Sequence, residues 1–296
     1  MSAATRRLRE LLARSGIIHA PTCYDPLTAR IAEQVGFECV SLGGYAMGAH
    51  LATSEPLLGL AEVARIVRDI ARACRLPIIV DAGAGWGDPL LVIRTVRDLE
   101  AAGAAALHME DQLFPKRAHY HKGVEHIIPV DEMAAKVRAA AAARRDPDFV
   151  IVTRTDAMRT DGYDEGVRRA NAYAAAGADL IMLFPNSLQE ARHAPKDVRA
   201  PLVYVNSEGN RLGRPIFSVR EAEEIGYKVL YDAITVTLVA YRAVRDVLTR
   251  LKTTGRTGLD QTEMVPMRKA IEDTIGLEEY YRIECDTVEK PEPGPA

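Results

Sequence analysis

The sequence predicts an α/β fold in which eight parallel strands close into a (β/α)8 TIM-type barrel. First, a short apolar run followed by an Ala-rich amphipathic segment recurs eight times along the chain. Second, the phrases EQVGFECV, EAAGAAAL and AAAGADLI each place a glycine where a helix can end in the left-handed conformation before the next strand. Third, no GxGxxG pattern follows the first predicted strand, which disfavours an open dinucleotide-binding sheet.

The predicted elements alternate along the chain. The strands are expected at 17–20, 39–42, 77–81, 104–109, 149–154, 180–184, 202–205 and 229–231. Apolar residues at helical spacing predict intervening helices at 26–35, 60–74, 89–102, 130–143, 166–176, 188–194 and 218–225.

The carboxy-terminal part exceeds what a barrel needs. A helix at 235–251 is followed by the hinge TTGRTG and a further helix at 261–275. We therefore predict a barrel domain at 1–255, a helical extension at 256–284 and a disordered, Pro-rich acidic tail at 285–296. The extension could pack on its own barrel or exchange with a neighbouring subunit.

Composition excludes several classes of function. A net charge of -3 and 6% aromatic residues provide no footprint for nucleic acid. No secretory signal or run of about 20 apolar residues occurs, so we expect a cytoplasmic protein with no membrane partner. The cysteines are scattered without metal-ligand spacing and indicate neither a disulfide framework nor structural zinc: Cys23, Cys39, Cys74 and Cys285.

Polar residues at the predicted strand ends are the first candidates for a site. Strand alternation turns His108 and Glu110 into the barrel, and Asp81 ends the neighbouring strand. Two carboxylates at adjacent strand ends suit Mg2+. Arg154 ends the next strand and faces inward, where a substrate carboxylate would justify its burial. Alternatively, Asp81 caps a turn and Glu110 pairs with Arg154.

The loop after Glu110 supplies candidates for proton transfer. It carries two cations and three adjacent rings: Lys116, Arg117, His119, Tyr120 and His121. Histidine titrates near neutrality and tyrosine can give a proton, so this run can supply a general acid or base. The alternative is an exposed polar loop. The turn LGGYAMG allows close backbone approach to a ligand at Gly43 and Gly44, beside Tyr45.

The motifs VDAGAGWG, AGAAALHMEDQLFPKR, DFVIVTRTDA and AGADLI occur in an order that resembles the isocitrate lyase/phosphoenolpyruvate mutase superfamily. The resemblance spans about residues 10–250. It implies a barrel, Mg2+ (Mn2+ as a substitute), a homotetramer with exchanged carboxy-terminal helices, and small 2-oxo or 2-hydroxy acids that react through a pyruvate-like enolate.

The resemblance also implies roles for individual residues. Asp81 matches the direct metal ligand, Glu110 a ligand or supporting carboxylate, and Glu55 the carboxylate of a mobile loop. Arg154, Gly43 and Gly44 match substrate-binding positions, and Lys116 and Arg117 begin the catalytic loop. His108, Asn206 and Glu208 complete the predicted substrate-binding set.

The chain departs from the lyases of this superfamily at several positions. Phe184 replaces a glutamate after the sixth strand, and Val205 stands where an asparagine is usual, with Asn206 next to it. Ala118 stands where those lyases carry a catalytic cysteine, and Gly83 replaces the second aspartate of a D-x-D motif. We expect His119 or His121 to replace the cysteine in a Mg2+-dependent carbon–carbon lyase or decarboxylase. The alternatives are phosphonomutase or phosphonopyruvate hydrolase chemistry, and a non-catalytic ligand-binding relative.

Overall fold

Eight parallel strands form the barrel in the computed structural model, which describes residues 2–210 and 212–289. The strands are β1 (Ile18–Pro21), β2 (Val40–Leu42), β3 (Ile78–Asp81), β4 (Ala106–Glu110), β5 (Val150–Arg154), β6 (Leu180–Met182), β7 (Leu202–Asn206) and β8 (Val229–Asp232). From β2 to β8 each strand pairs with its sequence neighbour, and β1 pairs with β8. A parallel bridge between Thr22 and Ser41 joins β1 to β2. The predicted TIM-type barrel is thereby confirmed.

Seven of the described helices follow the predicted repeat. They are α2 (Pro26–Val35), α4 (Leu60–Ala73), α5 (Pro89–Ala102), α6 (Val130–Ala143), α8 (Tyr163–Ala175), α9 (Leu188–Asp197) and α10 (Val219–Ile225). As predicted, α2 and α5 end at Gly36 and Gly103, whose φ angles of 100° and 103° lie in the left-handed region.

Several shorter or more polar elements were not predicted. They are α1 (Ala3–Ala13), α3 (Gly44–His50), α7 (Ala157–Thr160), and the 3-10 helices Glu55–Leu57 and Ala118–Lys122. Each shows too few apolar residues, or too few turns, for the helical period to be visible. The last two hold predicted site residues, so their folding matters for the chemistry.

The apolar core has two layers because parallel strands are buried on both faces. One layer fills the barrel with residues such as Ile79, Ala106, Val152 and Val203. Leu8 and Leu11 of α1 also pack into this interior cluster. The other layer lies between the strands and the surrounding helices. With the interior filled, polar chemistry is confined to the strand ends and their loops.

The described chain forms two compact units, one ending at Leu238 and the other beginning at Val239. The second unit contains most of α11 (Thr235–Thr254), followed by α12 (Gln261–Thr274) and α13 (Leu277–Thr287). Residues 285–287 of the predicted tail are therefore helical, whereas 290–296 lie outside the described residues. Within the described ranges, no helix is both long and apolar enough to cross a membrane.

Candidate active site

The carboxyl ends of three adjacent strands bring four of the predicted side chains together. In the sheet register, Asp81 of β3 lies beside His108 of β4, and Glu110 of β4 lies beside Arg154 of β5. All four side chains are buried. Because the strands are parallel, these residues share the end of the barrel at which active sites of this architecture are built.

Asp81 is held by backbone groups of two glycine-containing turns. Its Oδ2 accepts from the amide of Gly44 at 2.9 Å, and its Oδ1 accepts from the amide of Gly83 at 2.8 Å. Burial raises the pKa of Asp81, but positive charge from His108, Lys116 and Arg154, together with the Gly83 amide, outweighs it and lowers the pKa to about 2. Asp81 is therefore a carboxylate at neutral pH.

Lys116 lies between two acidic side chains. Its Nζ is 2.7 Å from Glu110 Oε1 and forms a hydrogen-bonded ion pair with Glu55 Oε1. The Glu55 carboxylate also accepts from the hydroxyl of Tyr120. Burial lowers the pKa of Lys116, but the charges of Glu110 and Glu55 reverse this effect and raise it above its usual value. Lys116 therefore remains an ammonium.

Arg154 pairs with two carboxylates. Its Nη1 is 3.1 Å from Glu110 Oε2, and its Nε and Nη2 donate to Asp156. Its guanidinium carbon lies 4.4 Å from the centroid of the Phe184 ring. The ion pair between Glu110 and Arg154, given above as an alternative to metal ligation, is thus present. It supports the position of Arg154 without excluding a ligand, because Arg154 also lines a large cavity.

This cavity has a volume of about 670 Å3 and opens over the strand ends. Among the predicted site residues, it is lined by Gly43, Gly44, Tyr45, Glu55, Asp81, His108, Tyr120, His121, Arg154 and Glu208. A separate cavity of about 40 Å3 borders Asp81, Glu55 and Lys116. It is large enough for one or two water molecules.

The rings of the loop take different positions. The side chains of Arg117 and His119 are exposed, and neither lines the large cavity. His121 does line it, with Nε2 3.1 Å from the hydroxyl of Ser54 and the ring 4.0 Å from the Tyr120 ring, centroid to centroid. The geometry therefore separates Tyr120 and His121 from His119 as candidates for proton transfer.

Two predicted substrate-binding residues lie at the edge of the site. Asn206 binds the backbone of Phe217, donating from Nδ2 to the carbonyl at 2.7 Å and accepting from the amide at 3.1 Å. This pair fixes the loop after β7. Glu208 is exposed at the rim of the cavity. Direct contact of either residue with a substrate remains a prediction.

Two further arginines that sequence reasoning missed contact the same aromatic ring. The guanidinium carbons of Arg159 and Arg214 lie 5.3 Å and 4.7 Å from the Phe184 centroid, and both residues line the large cavity. A signal was available, since each lies in the segment that follows a predicted strand. Arg159 lies in α7 after β5 and Arg214 in the long loop after β7, so the linear sequence does not show their convergence.

The acidic residues fit a hydrated hard cation. Both carboxylate oxygens of buried Glu110 are held by ion pairs without an ordinary hydrogen bond, and Lys116 shows that a cation is accommodated beside them. Mg2+ usually takes one or two protein carboxylates and keeps several waters, a requirement that Asp81 and Glu110 meet. Within residues 2–210 and 212–289, no cluster of three His, Cys, Asp or Glu residues forms a closed metal cage.

Comparison with known proteins places the chain among enzymes of one family. Residues 8–252 match the family model described as phosphoenolpyruvate phosphomutase. The 2-methylisocitrate lyase of Aeropyrum pernix is 38% identical over 289 residues, which cover 96% of this chain and 91% of that protein.

Solved structures agree with this placement. The crystal structure of 2,3-dimethylmalate lyase, a PEP mutase/isocitrate lyase superfamily member, matches with a TM-score of 0.88 at 31% identity, covering 97% of this chain and 96% of that one. Phosphonopyruvate hydrolase in complex with oxalate and Mg++ matches with a TM-score of 0.83 at 28% identity, covering 98% and 100% of the two chains.

Proposed function

The chain belongs to the phosphoenolpyruvate mutase/isocitrate lyase superfamily, and from that premise we propose that it is a Mg2+-dependent carbon–carbon lyase. Its substrate is a small 2-hydroxy or 2-oxo carboxylic acid. The observation that carries the proposal is the row of Asp81, Glu110 and Arg154 at three adjacent strand ends, where Asp81 and Arg154 line one cavity and buried Glu110 lies between them in the sheet. Its 38% sequence identity with a 2-methylisocitrate lyase and its structural similarity to a 2,3-dimethylmalate lyase support carbon–carbon lyase activity.

Arg154 binds a substrate carboxylate in the proposed reaction. A guanidinium forms two parallel hydrogen bonds with a carboxylate, and Asp156 and Glu110 hold its plane in place. Gly43 and Gly44, at the start of α3, also line the cavity and let the backbone approach the substrate closely. Together with Arg154, they orient the bond that breaks.

For a 2-hydroxy acid, the hydroxyl gives its proton to the carboxylate of Glu55, which lines the cavity, and its oxygen becomes the carbonyl oxygen of a 2-oxo acid product. The electron pair of the broken carbon–carbon bond passes to the departing fragment as an enolate-type anion, which then takes up a proton. The buried, charged groups Lys116 and Arg154 stabilise this negative charge.

Tyr120 is the proposed proton donor in place of the cysteine that the superfamily lyases carry at the position of Ala118. Burial, together with the charge of Glu55, keeps the pKa of Tyr120 above its usual value, so the hydroxyl retains its proton. The pKa of Glu55 is itself raised by burial, against the opposing effect of Lys116. Tyr120 can therefore give its proton and recover one through Glu55, while His121 lies against the Tyr120 ring.

The metal would be held by Asp81, with Glu110 as a direct or water-mediated ligand. When bound, Mg2+ would supply positive charge to polarise the oxygen atoms of the substrate. Mn2+ suits the same oxygen donors. Glu55 is the third candidate ligand, although here it is engaged by Lys116 and Tyr120.

Steady-state assays with 2-methylisocitrate, 2,3-dimethylmalate and oxaloacetate test this proposal. We expect turnover of at least one of them, complete loss of activity in EDTA, and recovery on addition of Mg2+. A failure of all three substrates in Mg2+ would contradict the lyase proposal.

Phosphonopyruvate hydrolysis or phosphonate–phosphate rearrangement is a second candidate activity. The similarity to phosphonopyruvate hydrolase and the absence of a cysteine at Ala118 favour it. Phosphorus NMR of phosphonopyruvate incubated with enzyme and Mg2+ distinguishes the two, because only this chemistry changes the phosphorus signal.

A further inference from the structure

Arg214 is a buried cation with no carboxylate partner in the part of the chain that the structure describes. Its exposed fraction is 7%, and no acidic side chain within residues 2–210 and 212–289 forms an ion pair with it. In the same part of the chain, its guanidinium donates one hydrogen bond, from Nη1 to the carbonyl of Val205 at 3.4 Å. A guanidinium carries five N–H donors, so most donors of Arg214 have no hydrogen-bond partner among the described residues, and Arg214 lines the large cavity.

The two neighbouring arginines, unlike Arg214, each pair with a carboxylate. Arg154 pairs with Glu110 and Asp156, and Arg159 pairs with buried Glu125. Three guanidiniums thus converge on the Phe184 ring, and of these only Arg214 lacks an anionic partner among the described side chains. An unpaired buried charge is costly, and such a charge at a cavity wall normally receives an anion from a ligand.

The loop fixes Arg214 in this position. The backbone amide of Arg214 donates to Asn210 Oδ1 at 2.8 Å, and Tyr204 donates from its hydroxyl to the carbonyl of the adjacent Pro215 at 2.6 Å. Phe184 covers one face of the guanidinium at 4.7 Å. The exposed edge of a planar, stacked guanidinium is suited to a carboxylate, which binds it through two parallel hydrogen bonds.

We propose that Arg214, with Arg159 beside it, binds a second carboxylate on the fragment that leaves during cleavage. This inference rests on the proposed lyase function, in which Arg154 already binds one carboxylate of the substrate. The preferred substrate then carries three carboxylates: one on the 2-oxo acid product and two on the departing fragment. A substrate whose departing fragment bears a single carboxylate leaves Arg214 without an anion.

The proposal predicts a specificity difference between two related substrates. 2-Methylisocitrate has three carboxylates and 2,3-dimethylmalate has two. We expect Arg214→Met to lower kcat/KM for 2-methylisocitrate by about 30-fold or more, through KM, and to change kcat/KM for 2,3-dimethylmalate by less than about threefold. Equal losses on both substrates, or no loss on either, would overturn the assignment.

A binding measurement separates this inference from the lyase proposal. Calorimetric titration of the Mg2+-loaded protein uses succinate, a dicarboxylate that resembles the departing fragment, and oxalate as a short reference ligand. In Arg214→Met we expect succinate affinity to fall by about tenfold or more while oxalate affinity is unchanged. If the protein turns over no substrate but succinate binding still depends on Arg214, the lyase proposal falls and the carboxylate subsite stands. Unchanged succinate affinity overturns the subsite.

Two further variants control for folding and charge. Arg214→Lys keeps the positive charge but loses the two parallel N–H donors of the guanidinium, and should retain part of the succinate affinity lost in Arg214→Met. Arg220→Met removes an exposed arginine that pairs with Glu224 and should leave both affinities unchanged. If Arg214→Met unfolds, the test uses Arg214→Lys instead. The ratio of succinate affinity to oxalate affinity should then be lower in Arg214→Lys than in the parent protein, and an unchanged ratio would contradict the proposal.

Discussion

The ammonium of Lys116 lies 2.7 Å from the carboxylate of Glu110, a side chain that is 0% exposed. Arg154 approaches the other oxygen of the same carboxylate at 3.1 Å. Glu110 therefore joins the loop after β4 to the end of β5. Its carboxylate both holds the side chains of Lys116 and Arg154 in place and balances their positive charges.

Replacing Glu110 with Gln should remove activity and weaken the fold. The variant leaves Lys116 and Arg154 short of one negative charge, and we expect kcat/KM to fall by about 100-fold or more. Breaking a buried ion pair should also cost about 3–5 kcal/mol of unfolding free energy. Steady-state kinetics, measured below the melting temperature found by circular dichroism, give the loss of kcat/KM. Urea unfolding gives the loss of unfolding free energy.

Glu224→Gln is the matched control because Glu224 is exposed and pairs only with Arg220 on the surface of α10, as far as the described residues extend. Its effect should stay below about 0.5 kcal/mol, with normal kinetics. Full activity in Glu110→Gln would contradict the proposed role of Glu110.

The low pKa of Asp81 predicts acid sensitivity with a defined sign. Its folded pKa of about 2 lies below the reference value of 3.8, so ionised Asp81 stabilises the fold at neutral pH. This contribution is about 2 kcal/mol, is present above about pH 4, and is lost as the pH falls toward 2. The difference in unfolding free energy between the parent and Asp81→Asn should therefore shrink by about 1 kcal/mol between pH 6 and pH 3.

Urea unfolding at several pH values tests this prediction. His108 affects stability over a different pH range. Burial lowers the pKa of His108, so the unfolded state binds a proton at a higher pH than the folded state does, and the fold loses stability as the pH falls below about 6.5. Asp98→Asn changes an exposed carboxylate of α5 and should shift stability by less than about 0.5 kcal/mol at every pH. A pH-independent difference for Asp81→Asn would show that its charge does not stabilise the fold.

The sequence was most informative where periodicity and strand ends determine position. Alternation along β4 correctly placed His108 and Glu110 inside the barrel, and parallel register then brought Asp81 and Arg154 beside them. Loop residues were less predictable. Nothing in the order His119–Tyr120–His121 indicates that the first ring is exposed while the other two line the cavity, because that depends on the 3-10 helix in which they fold.

The two missed arginines show the same limit. Arg159 and Arg214 are separated by two strands in the chain and meet only on the ring of Phe184. Their convergence depends on the length and path of the loop after β7. The hydrogen bonds of Asn206 and Asn210 fix that path, and neither sequence spacing nor alternation encodes it.

The helix α11 carries apolar residues on one face that remain exposed in the single chain. Tyr241, Val244, Leu248 and Leu251 follow helical spacing and are 65%, 55%, 56% and 44% exposed. We propose that this face is covered in a homotetramer, and expect sedimentation equilibrium to give the mass of four 32.4 kDa chains. Val244→Asp combined with Leu248→Asp should reduce that mass, whereas Thr249→Asp on the same helix should not. A monomeric parent protein would refute the assembly.

Gly44 is the position at which a single methyl group should disconnect the carboxylate network. A Cβ added there would lie 2.3 Å from Cδ and 2.5 Å from Cγ of Glu55, so Glu55 would have to leave Lys116 and Tyr120. We expect Gly44→Ala to lower kcat by about tenfold or more. The stability loss should be small, because Glu55 belongs to a short 3-10 helix that can shift.

Gly59→Ala is the matched control, since its added Cβ meets only Glu62 Oε2, at 3.5 Å, within the described residues. Combining Gly44→Ala with Glu55→Ala removes the clash and should restore stability while leaving kcat low, because the proton path through Glu55 is then absent. Recovery of parental kcat in the double variant would mean that Glu55 takes no part in the reaction and that Gly44→Ala acts by steric obstruction alone.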